Sequence, residues 1–306
     1  MKKQEIENII HGMLHVARPL EVARIRHLLS DGSLEDIVIE LRKYQNPDGG
    51  FGHGLEPDFW NPASSATQSW FACHIIRDHG IDPFHPMVVA LLDYLKETFD
   101  DHIMRWHAID QDNINYPHAP WWEKEGSLVS FNPSASLAGF IVKYGHPMDA
   151  MYKKARKVID EALSFILERE EPVEPHELRC LIDMMNDIAL DYRTHQHYKR
   201  AKNKMILLID EALEKDEELW FTSYVTKPSQ LIKHHPSLGS EVFHDLLLKE
   251  IDLAINHLNA EYLWPITWHW MGAYPDAFEI ANQHWQGIIA YGYVKLIKDL
   301  GIPFED

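Results

Sequence analysis

Residues 45–58 read QNPDGGFGHGLEPD and separate two segments that have helical hydrophobic patterning. Four glycines fall within residues 49–54, and glycine permits backbone conformations and close approaches that other residues prevent. Before this loop, residues 34–41 place their apolar side chains on one face of a helix. Ser33 and Asp36, three residues apart, resemble the capping box that begins such a helix. The stretch therefore predicts a tight connection between two paired helices.

Helical patterning continues along most of the chain, whereas the alternating runs of β-branched residues that indicate strands are scarce. Helices are predicted near residues 6–14, 20–29, 34–41, 63–79, 85–99, 134–144, 149–169, 175–191, 194–215, 228–234, 240–258 and 276–300. The chain is therefore predicted to be all-α, with roughly twelve helices.

Proline and glycine mark the ends of several predicted helices. Proline is tolerated in the first helical turn because its missing N–H would be unpaired there, whereas glycine readily adopts the left-handed conformation that ends a helix. The prolines predicted inside helix starts are Pro62, Pro133, Pro228 and Pro275. The glycines predicted as left-handed helix ends are Gly80, Gly145 and Gly301.

Four loops that precede predicted helices contain corresponding aromatic residues, which are Phe51, Trp106, Trp220 and Trp264. Their spacings are 55, 114 and 44 residues, and the middle spacing is about two periods of ~50 residues. Two helices per period predict about six helical hairpins in a single domain over residues 1–306. A closed ring is favoured over an open superhelix or a plain bundle, because both terminal helices are strongly apolar on one face and lack the polar caps of an open array.

Gln45 followed by Asp-Gly-Gly-Phe at residues 48–51 resembles the repeated motif of the terpenoid cyclase and protein prenyltransferase superfamily. The continuation at residues 53–58 is similar to a bacterial subgroup usually described as prenyltransferase-like or squalene-cyclase-like. The detailed similarity covers roughly residues 40–80, and the other repeats match in pattern alone. The resemblance implies an α/α toroid, in which an inner ring of parallel helices and an outer antiparallel ring surround a central cavity.

The catalytic motifs of that superfamily are not found in this sequence. The nearest match to the DxDD acid motif of the cyclases is Asp110-Gln111-Asp112, which lacks the second aspartate pair. Cys73 and Cys180 lack the Asp-x-Cys pattern of a prenyltransferase zinc site, and no DDxxD motif for magnesium and diphosphate is present. The sequence therefore predicts no metal site and leaves the cofactor unknown, so that function must be argued from the site.

In a toroid, the loops before the inner helices gather at one mouth of the cavity. Glu56 and Asp58 are candidate catalytic residues as a general acid/base pair, with His53 and Asp110 as further candidates. The alternatives are stabilisation of a helix N-terminus by the carboxylates and a merely exposed His53. The predicted substrate-binding residues carry rings that can stack on sugars or line an apolar pocket. They are Phe51, Trp60, Trp106, His107, Tyr116, Trp121, Trp122, Trp264, Trp268, His269, Trp270 and Tyr274.

The overall composition excludes several classes of function. Of the 306 residues, 45% are hydrophobic and 25% are charged, as in ordinary folded proteins. The 29 basic and 47 acidic residues give a net charge of −18, which argues against binding to nucleic acid or to an anionic membrane. Two cysteines do not make a disulfide framework, and neither a signal peptide nor a transmembrane segment is recognisable. We expect a cytoplasmic protein of undetermined oligomeric state that binds a small molecule or an oligosaccharide.

Three functions fit these observations. The first is a toroid enzyme that acts on an isoprenoid or another bulky apolar substrate, and the family resemblance ranks it first. The second is a glycan-acting hydrolase or lyase that uses Glu56 or Asp58 as the acid and tryptophans as sugar platforms. The third is a non-catalytic toroid that binds a ligand or a protein partner.

Overall fold

The computed structural model of the protein describes residues 3–109, 111–123, 130–192 and 194–303. These residues form α-helices, short 3-10 helices and isolated β-bridges, and no β-strand lies among them. The predicted all-α class is therefore confirmed.

Thirteen α-helices lie within these ranges, and they account for most of the regular structure. They are α1 (Lys3–Val16), α2 (Pro19–Leu28), α3 (Leu34–Arg42), α4 (Ala66–His79), α5 (Pro86–Glu97), α6 (Ser134–Tyr144), α7 (Ala150–Glu168), α8 (Pro175–Asp187), α9 (Ala189–Tyr192), α10 (Gln196–Ala212), α11 (Pro228–Leu231), α12 (His244–Ala254) and α13 (Pro275–Asp299). Single 3-10 turns occur at Gln111–Asn115, Pro120–Trp122, Glu217–Leu219 and Ile255–His257. The chain divides into two compact units, of which unit 1 contains residues 1–43 and 213–306 and unit 2 contains residues 44–212.

In unit 2, helices that alternate along the chain are neighbours in space. Helix α6 packs against α8 and lies beside α4, while α7 packs against both α6 and α10. Gly139 permits the close approach of α6 and α8, because a Cβ atom at this position would lie 2.8 Å from the Cα of Met184. Successive helical hairpins produce this kind of arrangement.

In unit 1, the C-terminal helix shares a core with the N-terminal helices. Helix α13 packs against α1 and α2, and α2 packs against α3. A Cβ atom at Gly287 of α13 would lie 2.5 Å from the Cβ of Ala17, so glycine allows α13 to approach the connection between α1 and α2. The Arg24 guanidinium of α2 lies 3.7 Å above the ring of Tyr291 in α13, within the range of a cation–π contact.

The predicted N-terminal signals are confirmed at three helices. At α3, the Asp36 N–H donates to Ser33 Oγ at 3.2 Å and the Ser33 N–H donates to Asp36 Oδ2 at 2.8 Å, which completes the capping box. Pro228 and Pro275 are the first residues of α11 and α13, as predicted.

Two other proline predictions are wrong. Helix α4 begins at Ala66, where the Ser65 hydroxyl accepts the Gln68 N–H at 3.1 Å and caps the helix. Pro62 therefore lies in the preceding loop, because a side-chain cap further along the chain sets the helix start. Pro133 lies immediately before α6, which begins at Ser134.

The glycine predictions are partly confirmed. Gly80 and Gly301 have the expected left-handed conformation, with φ of 61° and 67°. Gly145 was wrongly predicted, because its φ is −86° and its backbone is extended. Its N–H still closes the helix by donating to the Ile141 carbonyl at 2.8 Å, and the chain then leaves toward Pro147, which cannot continue a helix.

The tryptophans that suggested the repeat have equivalent structural roles. Trp106, Trp220 and Trp264 are buried, and each indole N–H donates to a backbone carbonyl near the end of the preceding helix. The acceptors are Leu95, Glu214 and Ala254, at 2.7, 3.0 and 2.8 Å respectively. Trp106 and Trp264 thus fasten their loops to the preceding helices α5 and α12, whereas Trp220 bonds within unit 1 to a residue beyond the end of α10.

Phe51 and Trp106 also correspond through their backbones. The Phe51 N–H donates to the Ser69 hydroxyl of α4, and the Trp106 N–H donates to the Ser134 hydroxyl of α6. Both distances are 3.1 Å. The similar contacts to the following helix give the sequence spacing a structural basis.

Candidate functional site

The glycine-rich loop that carries the family resemblance is held by its own polar side chains. The Gln45 amide donates to the carbonyl oxygens of Gly49 and Met87 at 2.9 and 3.0 Å. The Asn46 amide donates to the Pro62 carbonyl at 2.9 Å. These bonds hold the loop in place and attach it to α5. The motif residues therefore have a structural role in positioning this loop.

Two glycines of this loop lie against backbone atoms. A Cβ atom at Gly49, where φ is 90°, would lie 2.1 Å from the Ala90 carbonyl oxygen. A Cβ atom at Gly52 would lie 2.3 Å from the Pro62 carbonyl oxygen. His53 is exposed, and its Nε2 atom lies 2.9 Å from Asn46 Oδ1, within the loop itself.

Glu56 and Asp58 are almost completely buried, with 5% and 3% of their surfaces exposed. Gln68 in the first turn of α4 fixes the loop that contains them. Its side-chain oxygen accepts the Leu55 N–H at 2.8 Å, and its amide donates to the Asn61 carbonyl at 2.9 Å. These bonds fasten the segment that contains the two carboxylates to α4, and little of the carboxylate surface is accessible to a substrate.

A second loop pairs with this segment. The Ala119 N–H donates to the Asp58 carbonyl at 2.9 Å, and the Trp60 N–H donates to the Pro117 carbonyl at 3.1 Å. The pairing places the buried His118 in the loop that lies against Asp58. Asp110, the fourth predicted catalytic residue, lies outside the described residues.

The predicted substrate-binding residues divide into three groups by exposure. The buried group contains Phe51, Trp106, Trp264 and Trp270. The partly exposed group contains Trp60, Tyr116, Trp122 and Trp268. The exposed group contains His107, Trp121, His269 and Tyr274. The buried residues pack inside the protein. A ligand can therefore more easily contact the residues of the other two groups.

Unit 1 contains a partly exposed aromatic cluster that includes one predicted residue. The ring of Trp268 lies 5.3 Å from that of Trp285 and 5.9 Å from that of Tyr224, in edge-to-face geometry. The residues that follow Trp268 line an open surface depression, and they are residues 269–273, 275, 278 and 279. His269 uses its Nδ1 atom to accept the Met271 N–H at 3.0 Å.

Unit 2 contains a polar cluster that the sequence did not predict. It forms where side chains of α4 and α8 meet beside α6. His74 Nε2 lies 3.2 Å from Asp183 Oδ2, and Arg179 Nη2 lies 3.3 Å from His74 Nδ1. The Ser136 hydroxyl of α6 donates to Asp183 at 3.1 Å. Trp70 is adjacent, with its ring 4.8 Å from that of His74.

The neighbouring ion pair is structural. Arg77 donates to Asp187 Oδ2 through Nε at 2.9 Å and through Nη2 at 2.6 Å. The same Nη2 donates to the Ser136 carbonyl at 2.7 Å, and Lys143 pairs with the other carboxylate oxygen at 3.1 Å. This ion pair joins α4, α6 and α8. Removing one partner of such a buried pair costs about 3–5 kcal/mol.

Burial lowers the pKa of the Arg179 guanidinium, whereas the nearby charge of Asp183 offsets part of this effect. The guanidinium lies 5.8 Å from the ring of Trp70, which supplies a further weak cation–π contact.

The polar cluster could not be recognised from a local motif. Arg179 and Asp183 are four residues apart and share one face of α8, a weak signal that many solvent-exposed helices also have. His74 lies in a helix whose other residues are mainly buried. The pairing of these two helices is a tertiary contact, and the sequence alone does not specify it.

The comparisons with known proteins do not assign a function. Comparison with protein-family models, with curated proteins and with solved structures finds no significant match. Among the described residues, no group of three or more His, Cys, Asp or Glu side chains has an arrangement that could hold a metal ion. None of the described helices combines the length and the apolar character needed to cross a membrane.

Proposed function

We propose that this protein is an α/α-toroid enzyme that acts on an isoprenoid or another bulky apolar substrate bearing an anionic group. The observation that carries the proposal is the cluster of Arg179, His74 and Asp183 beside Trp70 in unit 2. The cluster offers a cation, a proton carrier and an apolar surface within one small region. These three features match the chemistry of such a substrate.

The toroid part of the proposal rests on the repeated loops. Gln45 holds the glycine-rich loop, and the indole N–H groups of three tryptophans in later loops each donate to a backbone carbonyl earlier in the chain. In unit 2, α4, α6 and α8 are consecutive neighbours, as inner helices of a toroid would be. Regular repetition of one contact favours a repeat architecture over a bundle with coincidental similarities.

The chemical part assigns separate roles to the polar residues. Arg179 would bind the anionic group, since guanidinium matches phosphate and carboxylate oxygens. When Arg179 donates to His74 Nδ1, the imidazole proton is on Nε2, toward Asp183. If a ligand draws Arg179 away, Nδ1 becomes free to accept a proton, and Asp183 stabilises the resulting imidazolium. His74 would then act as the general base.

The first test is a binding experiment with the intact chain. Farnesyl diphosphate, with and without magnesium, should raise the melting temperature, whereas inorganic pyrophosphate and farnesol should each have a smaller effect. Arg179→Gln should weaken binding of farnesyl diphosphate by about 10- to 100-fold, as expected for loss of a charge-assisted hydrogen bond. Arg200→Gln is the matched control, because Arg200 is exposed on α10 of the same unit.

The outcomes separate the alternatives. Unchanged binding by Arg179→Gln would place the ligand elsewhere and contradict the site. No response to any isoprenoid would contradict the proposed substrate class. If a properly folded protein also fails to release diphosphate from the ligand it binds, the non-catalytic alternative is supported instead.

A glycan-acting enzyme is the second candidate, and the cluster of Tyr224, Trp268 and Trp285 favours it. Partly exposed aromatic rings can stack on sugar faces. The burial of Glu56 and Asp58 does not favour their use as the acid and base of a hydrolase. A melting-temperature increase with neutral oligosaccharides that Trp268→Ala abolishes would support this candidate, and no increase would contradict it.

A further inference from the structure

Helix α1 of unit 1 carries two exposed histidines that lie one turn apart. His11 and His15 are separated by four residues, so their side chains share one face of the helix. Their Nε2 atoms are 3.3 Å apart, and the centroids of their rings are 4.5 Å apart. Within the described ranges, neither imidazole hydrogen-bonds to any other group. The pair is therefore accessible from the solvent.

The separation of the two nitrogens matches the geometry of a zinc site. Zinc binds a histidine nitrogen at about 2.0–2.1 Å and prefers tetrahedral coordination, so two such nitrogens are about 3.3–3.4 Å apart. The observed separation of 3.3 Å agrees with this value. Neighbouring nitrogens of a square-planar copper site would be closer, at about 2.9 Å for bonds of similar length. The pair is thus spaced for a tetrahedral ion.

The two imidazoles can bind one ion without a change in their charge. A hydrogen bond between the two Nε2 atoms requires one ring to carry its proton on Nε2. If that proton moves to Nδ1 of the same ring, both rings stay neutral and both Nε2 lone pairs become available. Exposed side chains change rotamer rapidly, so both lone pairs can be directed at one ion. Neither a buried group nor the backbone has to move.

The charge near the pair favours a cation. Glu7 is exposed and lies four residues before His11, so it belongs to the same face of α1. The chain as a whole has a net charge of −18, which attracts cations at longer range. The buried face of the helix, which contains Ile9 and Met13, packs into the protein and leaves the histidine face open.

We propose that His11 and His15 chelate a divalent transition-metal ion, specifically Zn²⁺, with the remaining coordination positions open to water. Two histidines four residues apart on a helix are a spacing that supplies two zinc ligands. The second imidazole binds as an intramolecular ligand, which makes the pair tighter than either histidine alone. The inference does not depend on the proposed function in unit 2, because α1 belongs to unit 1.

Isothermal titration calorimetry with zinc chloride at neutral pH tests the proposal on the untagged chain. The protein should bind Zn²⁺, and His11→Ala should weaken the tightest binding event at least about tenfold, since the chelate is lost. His197→Ala is the matched control, because His197 is exposed on α10 and has no histidine three or four residues away. Absence of Zn²⁺ binding, or equal effects of the two substitutions, would overturn the proposal. All of these positions are exposed and alanine favours helices, so the variants should fold.

The double variant provides a second readout. His15→Ala and the variant that lacks both histidines should lose about as much affinity as His11→Ala, because removal of either ring destroys the chelate. Losses that add in the double variant would show two independent histidines and contradict a shared ion. Magnesium prefers oxygen ligands, so it should produce no heat that His11→Ala changes. A magnesium response that depends on His11 would contradict a site built from imidazoles.

Discussion

Gln68 illustrates how a single buried polar residue positions part of the candidate site. It lies fully buried in the first turn of α4 and bonds both to the Leu55 N–H and to the Asn61 carbonyl. The loop between these residues contains Glu56 and Asp58. A backbone group that loses its partner while buried costs about 1–3 kcal/mol. The geometry of the two carboxylates therefore depends on one amide side chain.

We expect Gln68→Ala to lower the free energy of unfolding by about 3 kcal/mol, because two buried backbone groups lose their partners and a cavity forms. Urea denaturation followed by tryptophan fluorescence measures the change. Gln283→Ala is the control, since Gln283 is exposed on α13 and its loss should change stability by less than about 0.5 kcal/mol. Equal effects of the two substitutions would show that Gln68 does not hold the loop.

At the scale of secondary-structure elements, a glycine in the glycine-rich loop and a glycine in α13 have opposite effects on stability. A Cβ atom at Gly52 would lie 2.3 and 2.5 Å from the carbonyl oxygens of Pro62 and Ala63, so the loop has no room for it. Gly292 lies exposed in the interior of α13, and a Cβ atom there would have no neighbour within 4 Å. Gly52 permits the close approach of two backbone carbonyl groups, whereas Gly292 weakens α13 because glycine has a low helix propensity.

We therefore expect Gly52→Ala to destabilise the protein by about 1–3 kcal/mol, as overpacking does. Gly292→Ala should stabilise it by about 0.5–1 kcal/mol, because alanine has the higher helix propensity. The melting temperatures of the two variants should therefore move in opposite directions. A stabilising effect of Gly52→Ala would contradict the assigned role of the motif.

At the scale of the whole molecule, acid changes stability in two opposing ways. The net charge of −18 gives the chain a self-repulsion that added protons reduce. His284 has the opposite effect. Burial and the nearby charge of Arg18 lower its pKa from 6.5 to about 4, although Glu21 offsets part of this shift. The folded protein therefore disfavours a proton that the unfolded chain accepts.

The sign follows from proton binding in the two states. Above pH 6.5, His284 is neutral in both states, whereas between pH 6.5 and about 4 the unfolded chain alone binds the proton. This histidine should therefore reduce the free energy of unfolding by up to about 3 kcal/mol as the pH falls through that window. Urea denaturation across the window, compared with His284→Gln, isolates this contribution from the change in net charge. Identical pH dependences of the two proteins would contradict it.

The sequence by itself determined the features that depend on neighbouring residues. The all-α class, the capping box at Ser33 and the left-handed ends at Gly80 and Gly301 were all predicted, because each requires contacts within a few residues. The predictions for Gly145 and Pro62 were wrong. The chain leaves α6 in an extended conformation at Gly145, and the side chain of Ser65 sets the start of α4 beyond Pro62. Glu56 and Asp58 lie in one loop segment because they are only two residues apart in the sequence.

The tertiary structure alone decided which side chains meet across long separations. His74 lies beside Arg179, 105 residues away in sequence, and Arg77 pairs with Asp187, 110 residues away. Packing also made Trp264 and Trp270 buried while it left Trp268 of the same loop partly exposed. Periodicity indicates which face of a helix is apolar, and capping residues indicate where the helix begins and ends. The packing of one helix against another determines which polar groups converge. That packing depends on the shapes of many side chains at once.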